Sequence, residues 1–169
     1  MYMKTIEEFY DQSITYIALF DVFVTKHALV GGTQVDHICY KCDSKELFEH
    51  MREMFEGESE YIYQSIISKR RIAIIRLKRS IATALGEIHF LELSDQKPDH
   101  SQYDGFDHIE AYPLGRTYDE MVAEFERSER VVKVERPHHT THDIDMGKGF
   151  LFRCTEGPLM EKIKKNEIV

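Results

Sequence analysis

The order of elements along the chain predicts an α+β fold of two tandem βαβββ modules behind an N-terminal helical extension. Three observations carry this prediction. The tripeptide Asp-His-Ile occurs at 36–38 and again at 107–109. Each copy leads into a candidate helix start, at 43–46 and at 117–120, where a short polar residue is followed three positions later by Glu. Each helix then gives way to three short runs rich in β-branched and aromatic residues. A repeated order of this length is the mark of internal duplication.

The extension spans 1–30. Within it Ile6, Phe9, Tyr10, Ile14, Ile17 and Phe20 recur at helical spacing, which predicts one long helix or two short ones packed on the outside of the two modules. "LVGGTQ" at 29–34 is a break, because two glycines release the backbone. The first module, 34–93, opens with a strand over Val35–Cys42. Asp43-Ser44-Lys45-Glu46 then starts a helix with Leu47, Met51, Met54 and Phe55 on one face, ended by Gly57. Residues 60–68, 70–78 and 87–93 supply three strands. A polar connector with Pro and Gly fills 94–105.

The second module, 106–163, restarts with a strand over Phe106–Pro113. Thr117 and Glu120 frame a helix with Tyr118, Met121, Val122 and Phe125 as its apolar stripe. Strands follow at 130–136, 140–146 and 149–155, and "EKIKKNEIV" reads as a helix end or a frayed terminus. The copies align at constant spacing over much of their length: His37 with His108, Met51 with Val122, Met54 with Phe125, Tyr61 with Val132. Near its end the second copy is shorter, and there Glu92 falls opposite Arg153. The modules and extension together read as a single domain, 1–169.

Composition bounds the partners. The 169 residues are 42% hydrophobic and 31% charged, enough to bury a core. A net charge of −8 argues against nucleic acid, which needs a clustered positive surface. The basic run "KRRIAIIRLKR" at 69–79 alternates with apolar residues and reads as the solvated face of a strand. No stretch reaches the roughly 20 apolar residues of a membrane span. There is no signal-peptide pattern, and three cysteines suggest no disulfide framework. The expectation is a cytoplasmic protein with a small-molecule partner.

"DHI" at 36–38, "LEL" at 91–93 and "GFDHIEAYP" at 105–113, behind a helical extension, make the chain similar to the vicinal oxygen chelate superfamily. That superfamily includes glyoxalase I, extradiol dioxygenases, methylmalonyl-CoA epimerase and fosfomycin-resistance proteins. Within it the sequence resembles the YecM-like branch of metalloenzymes over about residues 5–163. The resemblance implies a cupped mixed sheet in which the inner faces of the modules meet. It implies that His37, Glu92 and His108 converge on a divalent metal, with Zn, Mn, Ni and Fe(II) all suited to two imidazoles and a carboxylate. It also implies open positions for a bidentate oxygen ligand, and leaves a homodimer open, since relatives share modules between chains.

Strand periodicity supports part of this constellation. It places Val35, His37, Cys39 and Lys41 on one face, Phe106, His108, Glu110 and Tyr112 on another, and Ile88, Phe90 and Glu92 on a third. Many relatives carry a fourth carboxylate in the last strand, where this chain has Arg153. Glu156 is near but needs a bulge to turn inward. A metal, Glu92 and Arg153 together would favour an anionic oxygen ligand. Glu110, two residues from His108, reads as a general base or as a side chain that orients a histidine. Asp36 and Asp107 point away by parity and receive structural roles.

The reading is a metal-dependent isomerase, lyase or dioxygenase acting on a small oxygen-rich acid. The rival is a binding protein on the same scaffold that sequesters its ligand. A purely structural or regulatory module is a third reading, with neither metal nor ligand in the cup. Cys39-x-x-Cys42 sits inside a strand, so its thiols diverge and form no zinc knuckle. His138 and His142 are four apart in "RPHHTTHD", a secondary metal spacing set against a polar loop lining the pocket mouth and against a plain surface loop.

Overall fold

The computed structural model describes residues 3–136 and 139–167. Helix α1 (Ile6–Lys26) leads into the first module: β1 (Thr33–Lys41), α2 (Lys45–Glu56), β2 (Ser59–Ile67), β3 (Arg70–Thr83) and β4 (Gly86–Ser94). The second module is β5 (Gly105–Pro113), α3 (Tyr118–Glu126), β6 (Val132–Glu135), β7 (Thr140–Asp145) and β8 (Leu151–Cys154). Helix α4 (Leu159–Glu167) closes the chain.

All strands join one mixed sheet in the order β2-β3-β4-β1-β5-β8-β7-β6. Each module repeats the same internal order, with its first strand parallel to its last. The modules meet along the antiparallel pair β1–β5, centred on Ile38 opposite Ile109. Registers fix the equivalences. Cys39 pairs with Glu92 in the first module, and Glu110 pairs with Arg153 in the second. Glu92 and Arg153 are therefore counterparts, as are Cys39 and Glu110.

The helix starts differ in detail. Thr117 and Glu120 form a reciprocal capping box. In α2 the cap is Ser44, not Asp43, and accepts from Leu47 N at 3.2 Å. Position three is then Leu47, so no box forms there.

Helix α1 packs on the outside of the two modules, one side buried against the core and the other exposed. Thr5 caps it, and its apolar stripe crosses both halves of the core. Phe9 packs edge-on against Phe55 of α2 and lies tilted against Phe106 of β5. About three turns further on, Phe20 stacks on Phe152 and Phe23 meets Phe125 of α3. These rings are buried. Ile14 is 65% exposed and lies off the stripe.

The basic run on β3 is only partly solvated. Ile72 to Ile75 are buried, and Arg71, Arg76 and Arg79 each lie over an aromatic ring, at Phe48, Phe90 and Tyr10. The connector after β4 is pinned from inside. Gln102 Nε2 donates to Cys42 O at 2.7 Å and to Asp95 O at 2.9 Å, and Gln96 Nε2 donates to Asp43 O at 2.6 Å. No described helix is long and apolar enough to cross a membrane.

Candidate metal centre

Two neighbouring rows of register partners cross the middle of the sheet. One runs Phe90, His37, Glu110, Arg153, Asp143 through β4, β1, β5, β8 and β7. The next runs Glu92, Cys39, His108. One ligand atom each from His37, Glu92, His108 and Glu110 lies within 4.8 Å of the others. The structure thus brings the three sequence-predicted ligands together and adds Glu110.

A pair of β-bulges builds this arrangement. On β1, Val35 faces Ala111 and His37 faces Glu110, so Asp36 is an extra residue. On β5, Phe106 faces Tyr40 and His108 faces Cys39, so Asp107 is extra. A bulge breaks alternation and re-aims the side chains beside it. Val35 and Phe106 accordingly join the core instead of sharing the face of His37 and His108, and Ile88 on β4, which strict parity grouped with Glu92, is in the core as well.

The same bulges correct the reading of Asp36 and Asp107. Asp36 Oδ2 lies 2.7 Å from His37 Nδ1, and Asp107 Oδ2 lies 2.7 Å from His108 Nδ1. A carboxylate accepts only, so each imidazole donates from Nδ1 and presents Nε2 to the cluster. Each aspartate is held in turn. Leu159 N, at the start of α4, donates to Asp36 Oδ2 at 3.1 Å. Lys41 Nζ sits 2.8 Å from Asp107 Oδ1.

His37 Nε2 lies 3.3 Å from Glu92 Oε2, yet out of hydrogen-bonding alignment; it is a buried nitrogen without a partner. Glu110 Oε1 is 3.7 Å from His108 Nε2 and 3.9 Å from His37 Nε2, too far to bond either ring. Ligand atoms about 2.1 Å from a shared ion sit roughly 3.0 to 3.4 Å apart. His37 and Glu92 already have that spacing, and Glu110 lies slightly outside it. Two neutral imidazoles and a carboxylate around an orphaned buried nitrogen fit a divalent metal.

Charge in the cluster is uneven. Burial alone would depress the His37 pKa, but the carboxylates of Glu110, Asp36 and Glu92 outweigh it and raise the pKa well above the ordinary value. His108 goes the other way: burial, then repulsion from Arg153, hold its pKa down and keep the ring neutral. Burial opposes ionisation of Glu92, yet His37, His108 and Arg153 bring its pKa far below the carboxylate range.

Arg153 does not replace a ligand. Its Nε and Nη2 donate to the two oxygens of Asp143 at 2.8 and 2.9 Å. Its Nη1 is 3.1 Å from His108 Nδ1 and 3.2 Å from Nε2. Near-equal distances place Nη1 over the ring face, since a lone-pair bond to one nitrogen would leave the other much farther away. Asp143 offsets most of the positive charge expected of the pocket from Arg153 alone.

Of the other candidates, Cys39 borders the cluster, while Cys42 and His142 stay apart from it. Cys39 Sγ donates to Glu92 Oε1 at 3.5 Å, while Cys42 is in the core. His142 Nδ1 pairs with the Tyr118 hydroxyl at 2.7 Å, and His138 lies outside the described residues.

Fold and site together define a class: a duplicated βαβββ protein with a buried histidine–carboxylate cluster at the seam between its halves. The chain belongs to the YecM protein family, whose model matches residues 7–145. The solved structure of protein EC4020 is similar, at 20% identity and a TM-score of 0.71, over 89% of this chain and 87% of that one. A variant of Streptomyces coelicolor methylmalonyl-CoA epimerase, solved with 2-nitronate-propionyl-CoA, is 16% identical over 76% of this chain and 97% of its own, with a TM-score of 0.48. Hypothetical protein BH1468 from Bacillus halodurans is 13% identical over 74% and 94%, with a TM-score of 0.46. No curated protein matches.

Proposed function

We propose that the chain binds one divalent metal ion through His37 Nε2, His108 Nε2 and the Glu92 carboxylate, and acts as an isomerase or lyase on a small oxygen-rich anion. The observation that carries this is the convergence of two aspartate-locked imidazoles, each with Nε2 turned inward and one of them unpartnered. Zn, Mn, Ni and Fe(II) all accept these ligands. When bound, such an ion is a Lewis acid that stabilises negative charge developing on a ligand oxygen.

The protein's own groups do the rest. Asp36 and Asp107 fix ring tautomer and orientation. Arg153 keeps His108 uncharged. Glu110 is the general base: its carboxylate faces the cluster, free of a tight bond to either ring. Assays of α-proton exchange against solvent deuterium, run over a panel of 2-oxo and 2-hydroxy acids, test this. Exchange that depends on metal and is lost in Glu110→Gln supports it. Stoichiometric binding without exchange contradicts it and favours sequestration.

Two further outcomes are expected. Asp36→Asn or Asp107→Asn removes an orienting carboxylate and weakens metal binding about 10–100-fold, as read by calorimetric titration. Metal uptake must also expel a proton from His37. Apparent affinity therefore falls as pH drops through the raised His37 pKa, with proton release measurable in buffers of different ionisation enthalpy.

Linkage gives the metal-free protein the matching sign. A raised histidine pKa stabilises the fold below about pH 6.5, the unfolded value, and that contribution disappears as pH climbs through the folded pKa. Thermal scans of metal-free protein should thus lose stability on the alkaline side.

A further inference from the structure

The β6–β7 hairpin carries a cation that the cluster itself does not use. Arg136 is half-buried, and its Nη1 donates to Thr141 Oγ1 at 2.7 Å. Thr141 is fully buried and precedes Asp143 by two strand positions, so both share the face on which Asp143 grips Arg153. The Arg136 guanidinium is therefore fixed on the side of the sheet that holds the metal cluster.

Among the described residues two partly buried arginines lack a carboxylate partner, Arg136 and Arg70, and Arg70 lies at the β2–β3 turn, away from this flank. Arg71, Arg76, Arg116 and Arg153 each sit against a carboxylate. Among the described residues, no carboxylate lies within ion-pairing distance of Arg136. A half-buried guanidinium held by one neutral hydroxyl has surplus donors and an uncompensated charge.

The flank of the first module offers no equivalent. There Arg76 lies over Phe90 and pairs with Glu60. The second module instead adds Lys162 of α4, which reaches Thr155 just past β8. Burial, then Arg153, lower the Arg136 pKa, while Asp143, Glu110 and Glu92 oppose the shift, which agrees with a place beside the cluster.

We propose that Arg136 is the specificity-determining contact of this site, selecting ligands that carry a second carboxylate beyond the oxygens that chelate the metal. The substrate class is then a small 2-oxo or 2-hydroxy dicarboxylate. One end meets the cluster, and the distal carboxylate takes the free donors of Arg136. This rests on the metal reading above.

The test compares pyruvate with 2-oxoglutarate, which share a chelating 2-oxo acid head and differ in the distal carboxylate. Binding of each to full-length protein loaded with Mn(II) is measured by calorimetry, with metal content determined in parallel. Phosphonopyruvate, in a third arm, separates a requirement for carboxylate from one for any distal anion. A charge-assisted contact predicts that 2-oxoglutarate binds about tenfold to a hundredfold tighter than pyruvate.

Arg136→Gln should abolish that preference and leave pyruvate binding and metal content unchanged, with Arg136→Lys recovering part of it. A preference that survives in Arg136→Gln, or equal loss for both acids, overturns the assignment. Phosphonopyruvate binding as tightly as 2-oxoglutarate overturns the restriction to carboxylates. Wild-type protein that retains no Mn(II) overturns the metal reading itself, a separate outcome because it is read without any acid.

Discussion

His37→Ala or His108→Ala should abolish stoichiometric metal binding. Each substitution removes a nitrogen that no neighbour can replace, because the remaining ring is anchored through Nδ1 to its own aspartate. The loss should exceed the roughly 10–100-fold typical of an outer-shell change. Glu110→Gln separates ligand from base. Its carboxylate is 3.7 to 3.9 Å from the rings, so metal should remain while proton exchange disappears. Metal analysis of protein purified without a histidine tag reads all three variants. Circular dichroism confirms that each still folds. Loss of metal in Glu110→Gln equal to that in His37→Ala would make Glu110 a fourth ligand instead.

Asp143→Ala should be the most destabilising change at the site, at about 3–5 kcal/mol by denaturant unfolding. Arg153 and Asp143 are both nearly buried and bonded at two points. Removing the aspartate leaves a buried cation stacked on His108. That cation would also repel an incoming metal, so affinity should fall together with stability. Arg153→Met combined with Asp143→Leu removes both charges and should recover most of the stability. Recovery in the double variant is the signature of an uncompensated charge, since a packing defect would grow with two changes.

Much of the architecture was legible because duplication states it twice. Asp-His-Ile, the capped helix and three strands recur in order, and the sheet repeats the same strand order in each half. The pairing of Glu92 with Arg153 followed from the alignment alone and matches the strand registers. Parity failed where the backbone bulges. Val35, Ile38 and Tyr40 are core residues spaced three and then two apart, and Phe106, Ile109 and Ala111 repeat that spacing. A broken alternation at the same place in both copies was the available sign of a bulge. It would have placed Asp36 and Asp107 beside their histidines.

Other features depend on contacts between distant segments. Nothing near Arg153 in sequence marks Asp143 as its partner, because the two meet only through the β7–β8 register. Helix α1 carries a clear apolar stripe, but only the assembled sheet shows that the stripe spans both modules. Arg136 sits where the predicted strand 130–136 gives way to a loop, and its meaning comes from what the hairpin lies beside.

Anomalous scattering from a crystal of metal-loaded protein, recorded on both sides of the candidate metal edges, tests the central claim most directly. The account predicts a single strong peak bonded to His37 Nε2, His108 Nε2 and Glu92, with its element given by the edge at which it appears. A peak elsewhere in the chain, or none at this cluster in protein shown to hold one metal equivalent, would contradict it.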